Sequence, residues 1–216
     1  DRFLPVAEEA GLVARLGEVV LREVAAQASV WNHLFGVVGG PTVAVNVADR
    51  QLVDSSFPDR VAEIIDWAGI PAHQLELELR EELLGSRSGD TNSVLRRLSD
   101  LGCRIVIDDF GISKVGFSRV GQLDLVDVVK IDRSIIGGIL TDDVARAVVD
   151  ATVSMARALD VDVVAEGVET DAQRSMLIDL GIDRMQGFLF LHPSPAEMFD
   201  PSQVGDVVTD PFAFRG

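Results

Sequence analysis

The sequence predicts an α/β fold in which helices cover a parallel sheet, and three observations support this. Six short runs of β-type residues alternate with helical stretches along most of the chain. The runs are rich in valine, isoleucine and leucine, as expected for strands buried on both faces. Apolar residues make up 47% of the 216 residues, which is enough to fill a sizeable core. At about 150 residues per domain, this length favours one domain and allows two small ones.

The elements follow one another in a regular order. A helical pattern comes first, with apolar residues three and four apart from Val6 to Val24, and a loop at Gly39-Gly40-Pro41 follows it. Strands are predicted at 43–47, 75–79, 104–108, 127–131, 162–166 and 184–189. The intervening helices are clearest at about 58–69, 91–101, 142–158 and 170–180. Residues 200–216 show no clear period, and we interpret them as a terminal arm or an irregular cover.

Two arrangements of a parallel sheet are consistent with the alternation of strands and helices. One is an open doubly wound sheet and the other is a (βα)8 barrel, for which six strands are too few. No GxGxxG or GxxxxGK[ST] glycine loop follows any of the six runs, which argues against a nucleotide-binding open sheet.

Composition excludes several classes of function. A net charge of −16 argues against a general binder of DNA, RNA or an anionic membrane surface. No apolar run reaches about 18 residues, so no membrane span is predicted. The single cysteine, Cys103, precludes a disulfide within the chain and fits a reducing, cytoplasmic compartment. The chain begins at Asp1 without a methionine, so we interpret it as a piece of a longer protein that could itself be membrane-anchored.

Nearly every predicted strand ends in a polar residue suited to metal binding or acid–base chemistry. These residues are Asn46, Glu78, Asp108, Asp109, Lys130, Glu166 and Gln186. In a barrel the C-terminal strand ends form one rim, where active sites lie. Two bare carboxylates about 4 Å apart repel by roughly 4 kcal/mol at an effective dielectric constant of about 20, so four of them at one rim would be costly unless protonated or bound to cations. Oxygen ligands favour Mg²⁺, Mn²⁺ or Ca²⁺ over zinc.

This set of residues predicts metal-assisted phosphoester hydrolysis, with Lys130 near a phosphate oxygen or the attacking water. Simpler interpretations stay open for single residues. An acid after a strand is often a helix N-cap or a solvated loop residue, Lys130 could pair with Asp132, and Asn46 could bond to a loop. The equivalent strand positions of all four acids favour a shared site.

The motifs around these strand ends resemble those of the EAL domain family, the cyclic di-GMP phosphodiesterases of bacterial signalling. The resemblance covers about residues 2–199. The motifs are FLPVAEEAGL at 3–12, VNVADRQL at 45–52, LELELRE at 75–81, IDDFG at 107–111, VKID at 129–132, AEGVE at 165–169 and QGFLF at 186–190 with Pro193 and Pro195. Seven motifs in order are far more specific than one.

The resemblance implies a modified TIM (βα)8-type barrel over residues 1–199, here lacking its first strand region, that hydrolyses cyclic di-GMP to linear pGpG with two Mg²⁺ or Mn²⁺ ions. The implied metal ligands are Asn46, Glu78, Asp108, Asp109 and Glu166, with Asp108 shared between the ions. The implied catalytic residues are Lys130, Glu166 and Glu169. The implied substrate-binding residues are Gln51, Gln186 and Pro193. Glu81 is expected to anchor the loop after the IDDFG motif.

Departures from the family pattern support a second hypothesis. The Glu-Ala-Leu strand is absent from the sequence, Arg80 and Ala48 replace a threonine and a serine, and the loop at 111–119 is unusual. We expect hydrolysis by the parent protein and weak or no hydrolysis by these 216 residues alone. The alternative is a catalytically degenerate receptor for cyclic di-GMP or a protein-interaction scaffold. Expected partners are a GGDEF-type or sensor domain in the parent protein and a second copy in a homodimer.

Overall fold

A computed structural model describes residues 11–36, 41–81, 89–112 and 124–199. The helices are α1 (Val13–Phe35), α2 (Asp49–Leu52), α3 (Phe57–Ala68), α4 (Gly89–Asp100), α5 (Arg133–Gly138), α6 (Asp143–Leu159) and α7 (Asp171–Asp179). The strands are β1 (Val43–Asn46), β2 (Leu75–Arg80), β3 (Arg104–Phe110), β4 (Val128–Ile131), β5 (Asp162–Glu166) and β6 (Arg184–Gln186). Short 3-10 turns lie at Ala72–Gln74 and Ala196–Met198.

Several predictions fall partly or wholly outside the described residues. These are the start of the first helical pattern at 1–10, the two glycines of the following loop, most of the loop at 111–119, and the arm at 200–216. Within the described ranges, no helix has both the length and the apolarity that a membrane crossing requires.

The six strands form one parallel sheet in the order β1-β2-β3-β4-β5-β6. Each strand pairs with the next one along the chain, and the order never reverses, as it would at the switch point of a doubly wound sheet. The sheet is also curved, because Glu76 on β2 reaches Arg184 on β6 at 3.8 Å. Sequential order and curvature are the features of a barrel, so the predicted α/β barrel class is confirmed over its open sheet alternative.

Residue alternation along β2 separates the two faces of the sheet. Leu75, Leu77 and Leu79 are buried in the core between the sheet and the helices. Glu76 and Glu78 alternate with them and therefore lie on the inner, concave face. Cys103 lies in the same core, and burial raises the pKa of its thiol to about 12.

A network of ion pairs fills the inner face near the N-terminal ends of the strands. Arg104 on β3 contacts Glu76 at 3.4 Å and Asp162 at 2.7 Å, and Arg184 contacts Asp162 at 2.8 Å. These four residues, which we call the lower network, join β2, β3, β5 and β6. They link these strands through charges on the inner face, where Val106 and Val128 are also buried.

The helix boundaries follow from local capping. Asp142 accepts a hydrogen bond from the Val144 N–H and starts α6, as its sequence position predicted. Thr170 starts α7, where its hydroxyl accepts from the Gln173 N–H and the Gln173 side chain accepts from the Thr170 N–H.

The sixth strand is shorter than predicted. It ends at Gln186 rather than at residue 189, because the chain turns at Gly187. Phe190 donates its N–H to the Gly187 carbonyl, and a Cβ at Gly187 would lie 2.2 Å from the Val168 carbonyl oxygen. The close approach to Val168 explains why glycine stands here.

Candidate active site

The ammonium group of Lys130 lies among three carboxylates from different strands. Lys130 on β4 donates to Glu78 Oε1 on β2 at 2.6 Å and contacts Glu166 Oε1 on β5. Its Nζ lies 3.6 Å from Asp108 Oδ1 on β3. The structure therefore brings together four of the residues that the sequence placed at one rim, which we call the acid cluster.

Burial sets the electrostatics of the acid cluster. Lys130 is 8% exposed and Glu78 is 6% exposed. Burial raises the pKa of Glu78 and of Glu166, against the opposing hydrogen bonds from Lys130, and the nearby Asp108 carboxylate raises both further. Burial by itself would lower the pKa of Lys130, but its hydrogen bonds to Glu166 and Glu78 outweigh that effect and raise it. The ammonium form of Lys130 thus offsets the negative charge of the cluster.

A β-bulge in β3 places two consecutive aspartates at the rim. Ile107 pairs with Val129 and Phe110 pairs with Ile131, so β3 has one residue more than β4 over this stretch. Asp109 takes the left-handed backbone conformation, with φ of 56°. The extra residue lets Asp108 face the acid cluster while Phe110 returns to the core, where it is fully buried.

Glu81 lies buried just beyond the end of β2. Its Oε2 accepts a hydrogen bond from the Gly111 N–H at 3.2 Å, directly after the IDDF strand. The contact is at the start of the loop that Glu81 is predicted to anchor. Residues 113–123 of that loop lie outside the described residues, so the anchoring role stays a prediction.

Four other predicted residues lie around the rim, and all are exposed. Asn46 ends β1 beside Glu78, and Gln186 ends β6 beside Glu166. Glu169 follows β5, and Pro193 lies in the segment after β6. Among the described residues, none of these four side chains forms a hydrogen bond or ion pair with the acid cluster, and their metal, catalytic and substrate roles stay predictions.

Gln51 lies apart from the rim. It is 2% exposed, and its side-chain oxygen accepts from the Ala48 N–H. Its amide packs against α1, where a Cβ at Gly17 would lie 2.7 Å from the Gln51 Oε1. Its hydrogen bond fixes the turn after β1, and its predicted contact with substrate stays a prediction.

The donor set suits a hard divalent cation. Every carboxylate in the cluster offers oxygen ligands, which Mg²⁺ and Mn²⁺ prefer. Asp108 Oδ1 is buried without a hydrogen-bond partner in the described part of the chain, which leaves an acceptor for a cation. The described residues contain no group of three or more His, Cys, Asp or Glu arranged to hold a metal as they stand. The Lys130 ammonium lies among the carboxylates of the acid cluster.

Sequence reasoning missed three features near this site. It did not foresee the bulge, the lower network, or the ion pair between Arg80 and Asp49 at the rim. The lower network had a signal in the sequence, because Glu76, Arg104, Asp162 and Arg184 all lie at or near strand starts. The interpretation of Lys130 as a partner of Asp132 is wrong, because Asp132 instead accepts from the Ser134 N–H and caps α5.

The curved parallel sheet with a polar rim at its C-terminal strand ends defines the domain as a TIM-barrel-like one. The chain belongs to the EAL domain family, which matches residues 1–193. The resemblance stated from the motifs is thereby confirmed.

Relatives of the chain are signalling proteins. The bifunctional diguanylate cyclase/cyclic di-GMP phosphodiesterase MucR of Pseudomonas aeruginosa is 36% identical over 196 residues, 91% of this chain and 28% of that protein. The cyclic di-GMP phosphodiesterase PdeR of Escherichia coli is 34% identical over 200 residues, 92% of this chain and 29% of that protein. The chain thus spans less than a third of either relative.

A solved structure of the PaMucR phosphodiesterase in complex with cyclic di-GMP shares the fold. Its TM-score is 0.82 at 36% identity, and the match covers 91% of this chain and 78% of that one. The predicted fold class is therefore shown both by the strand order and by this likeness.

Proposed function

We propose that the parent protein hydrolyses cyclic di-GMP to linear pGpG at the C-terminal rim of this domain's sheet. The acid cluster carries the proposal, since it joins three carboxylates and one ammonium from four strands at the position where barrel active sites lie. The names of MucR and PdeR support the reaction, and the PaMucR complex supports the substrate.

Two Mg²⁺ or Mn²⁺ ions are part of the proposal. The residues that would hold them are Asn46, Glu78, Asp108, Asp109 and Glu166, and the unsatisfied Asp108 Oδ1 supports this assignment. When bound, such ions activate water and neutralise charge that develops on the phosphate.

The chain's own residues would bind and orient the ligand and neutralise the charge on its phosphates. The Lys130 ammonium donates to Glu78 and Glu166, and its donors are suited equally to a phosphate oxygen or a water molecule. Glu169 and Gln186, exposed beside Glu166, would complete the rim around the substrate. Glu81 would hold the strand end that carries Asp108 and Asp109.

Two measurements on the purified protein test this proposal. The first incubates it with cyclic di-GMP and Mn²⁺ or Mg²⁺ and follows pGpG by chromatography. The second measures thermal unfolding with each metal, since a ligand at about 100 times its Kd stabilises by about 2.7 kcal/mol. Asp108→Asn should abolish turnover and the metal-dependent rise in Tm.

The matched control is Asp59→Asn, which removes the same charge from the exposed start of α3 and should leave both readouts unchanged. Equal metal stabilisation of both variants would indicate general counterion binding and would refute the metal site. Absence of pGpG from the parent protein with either metal would refute the enzyme, whereas weak or no turnover is expected from these 216 residues alone.

A receptor function is the second candidate, and a specific observation favours it. The Lys130 ammonium neutralises part of the acid cluster without any metal, so the cluster repels an anionic ligand less than three bare carboxylates would, and binding without reaction becomes less costly. Calorimetric binding of cyclic di-GMP without turnover would support a receptor. Neither binding nor turnover would support a protein-interaction scaffold.

The wider context is inferred in the same way. The bifunctional MucR supports a GGDEF-type or sensor partner domain, since the chain matches only 28% of that relative. The single buried cysteine is consistent with a cytoplasmic location. A homodimer stays an expectation from family resemblance.

A further inference from the structure

Arg80 ends β2 at the rim and is held by an ion pair. Its Nη2 lies 2.9 Å from Asp49 Oδ1 and 3.1 Å from Asp49 Oδ2. Asp49 is the first residue of α2, three residues after Asn46 at the end of β1. The pair therefore joins the C-terminal ends of β1 and β2, although its two side chains are 62% and 51% exposed.

The position of Arg80 on the strand directs it toward the mouth of the site. Glu76, Glu78 and Arg80 are two residues apart and share the inner face of the sheet. One such step along a strand is about 6.6 Å, so Arg80 stands one level above Glu78 in the acid cluster. Its register partner on β3 is Asp108. Arg80 is thus adjacent to two residues of the acid cluster, Glu78 along β2 and Asp108 on β3.

A cation at the level of Arg80, just above the acid cluster, would favour the binding of an anionic ligand. Without bound metal, the acid cluster holds three carboxylates and one ammonium, and its net negative charge would repel a cyclic dinucleotide, which carries two phosphodiester anions. A guanidinium presents a planar fork of donors that matches phosphate geometry. Because both side chains are exposed, the ion pair between Arg80 and Asp49 contributes little to stability. Its main effect is to hold the guanidinium in one position.

We propose that Arg80 binds a phosphodiester oxygen of the ligand and that Asp49 positions its guanidinium. The proposal rests on the proposed function for the identity of the ligand, but it applies equally to an enzyme and to a receptor. It also gives a role to the residue that departs from the family's threonine.

The experiment compares Arg80→Thr, Arg80→Lys and Asp49→Asn with the unchanged protein. Calorimetry measures Kd for cyclic di-GMP in EDTA, and steady-state kinetics with Mn²⁺ measures KM and kcat. Bis(4-nitrophenyl) phosphate, a phosphodiester without guanine, serves as a second substrate. The control is Arg97→Thr, which removes the same charge from an exposed ion pair with Asp59 on the outer helices.

Arg80→Thr should weaken binding by about tenfold or more and raise KM for both substrates, with kcat nearly unchanged. Arg80→Lys should restore only part of this, because it keeps the charge and loses the planar fork. Asp49→Asn should weaken binding by about two- to fivefold. Arg97→Thr should match the unchanged protein.

Unchanged Kd and KM in Arg80→Thr would overturn the proposal. So would an effect confined to cyclic di-GMP, which would indicate a guanine contact, or an equal effect in Arg97→Thr, which would indicate general electrostatics. Binding without turnover, with the Arg80 effect intact, would refute only the hydrolysis. Neither binding nor turnover by the unchanged protein would overturn both proposals.

Discussion

At the residue scale, Lys130 is the side chain that lets three acids share the inner rim. Its ammonium contacts Glu78, Asp108 and Glu166, and it is 8% exposed. Removing one partner of a buried ion pair leaves the other charge uncompensated. The acid cluster therefore depends on Lys130 whenever no other cation is present.

Lys130→Met should lower the free energy of unfolding by about 3–5 kcal/mol at pH 8 in EDTA. Burial already raises the pKa of Glu78 and Glu166, and losing the ammonium would raise both further. A raised pKa means that the folded state holds its proton more tightly than the unfolded state. Stability should therefore fall as the pH rises above the ordinary value of 4.5, and the loss should be smaller at pH 5.

Urea unfolding at pH 5 and pH 8 measures this difference. Arg97→Met, which removes a cation from an exposed pair on α4, is the control and should show little change at either pH. A loss in Lys130→Met that is the same at both pH values would contradict the proposed cause.

At the element scale, the bulge in β3 decides which side chains reach the rim. In a regular strand, neighbouring side chains point to opposite faces of the sheet. Asp108 and Asp109 could then not both point to the rim side. The left-handed conformation of Asp109 breaks this alternation at one residue. Two acids in succession can then lie at the rim without displacing Phe110 from the core.

Asp109→Gly should be more stable than Asp109→Val by about 1–2 kcal/mol, because a β-branched residue tolerates positive φ poorly. Both variants lose the carboxylate, so the comparison isolates the backbone. Urea unfolding provides the measurement. The same two substitutions at the exposed Asp150, inside α6, should give the opposite order, since glycine disfavours a helix more than valine does. Equal stability of the two Asp109 variants would argue against a strained backbone.

At the scale of the whole molecule, the lower network connects strands that are not neighbours in the sheet. Arg104 on β3 reaches Asp162 on β5, and Arg184 on β6 reaches Glu76 on β2. Glu76 Oε1 is buried without a hydrogen bond in the described part of the chain, so it relies on the nearby guanidinium groups. Contacts of this kind link separate strands across the concave face of the sheet.

Arg104→Met should destabilise the protein by about 2 kcal/mol or more, because it leaves the Glu76 carboxylate poorly compensated. Adding Glu76→Gln to that variant should recover part of the loss, since both partners are then uncharged. A double-mutant cycle in urea measures the coupling. Additive losses from the two substitutions would show that the pair is not coupled.

Much of this architecture could be predicted from the sequence, because its signals are local. The strand at 162–166 and the Asp142 cap follow from a β-branched run and from a side chain that bonds its own backbone. The convergence of Glu78, Asp108, Lys130 and Glu166 follows from their positions at strand ends. In each case, position along one element determines position in space.

The remaining features depend on contacts between distant residues, which no single segment specifies. The bulge requires β3 to be aligned with β4, and the burial of Gln51 requires Gly17 on α1. Lys130 pairs with Glu78 and Glu166 rather than with Asp132, because the curvature of the sheet brings β2 and β5 close to its ammonium group. The turn at Gly187 depends on Val168.

The uninterrupted order of the strands also bears on how the protein is made. Because each strand pairs with the one synthesised just before it, a nascent chain can add one strand and one helix at a time. Such stepwise growth keeps loop-closure costs low. The ion pairs of Arg184 with Glu76 and Asp162 can form only after β6 has been synthesised, so this part of the concave lining is completed later than the pairing of β2 to β5.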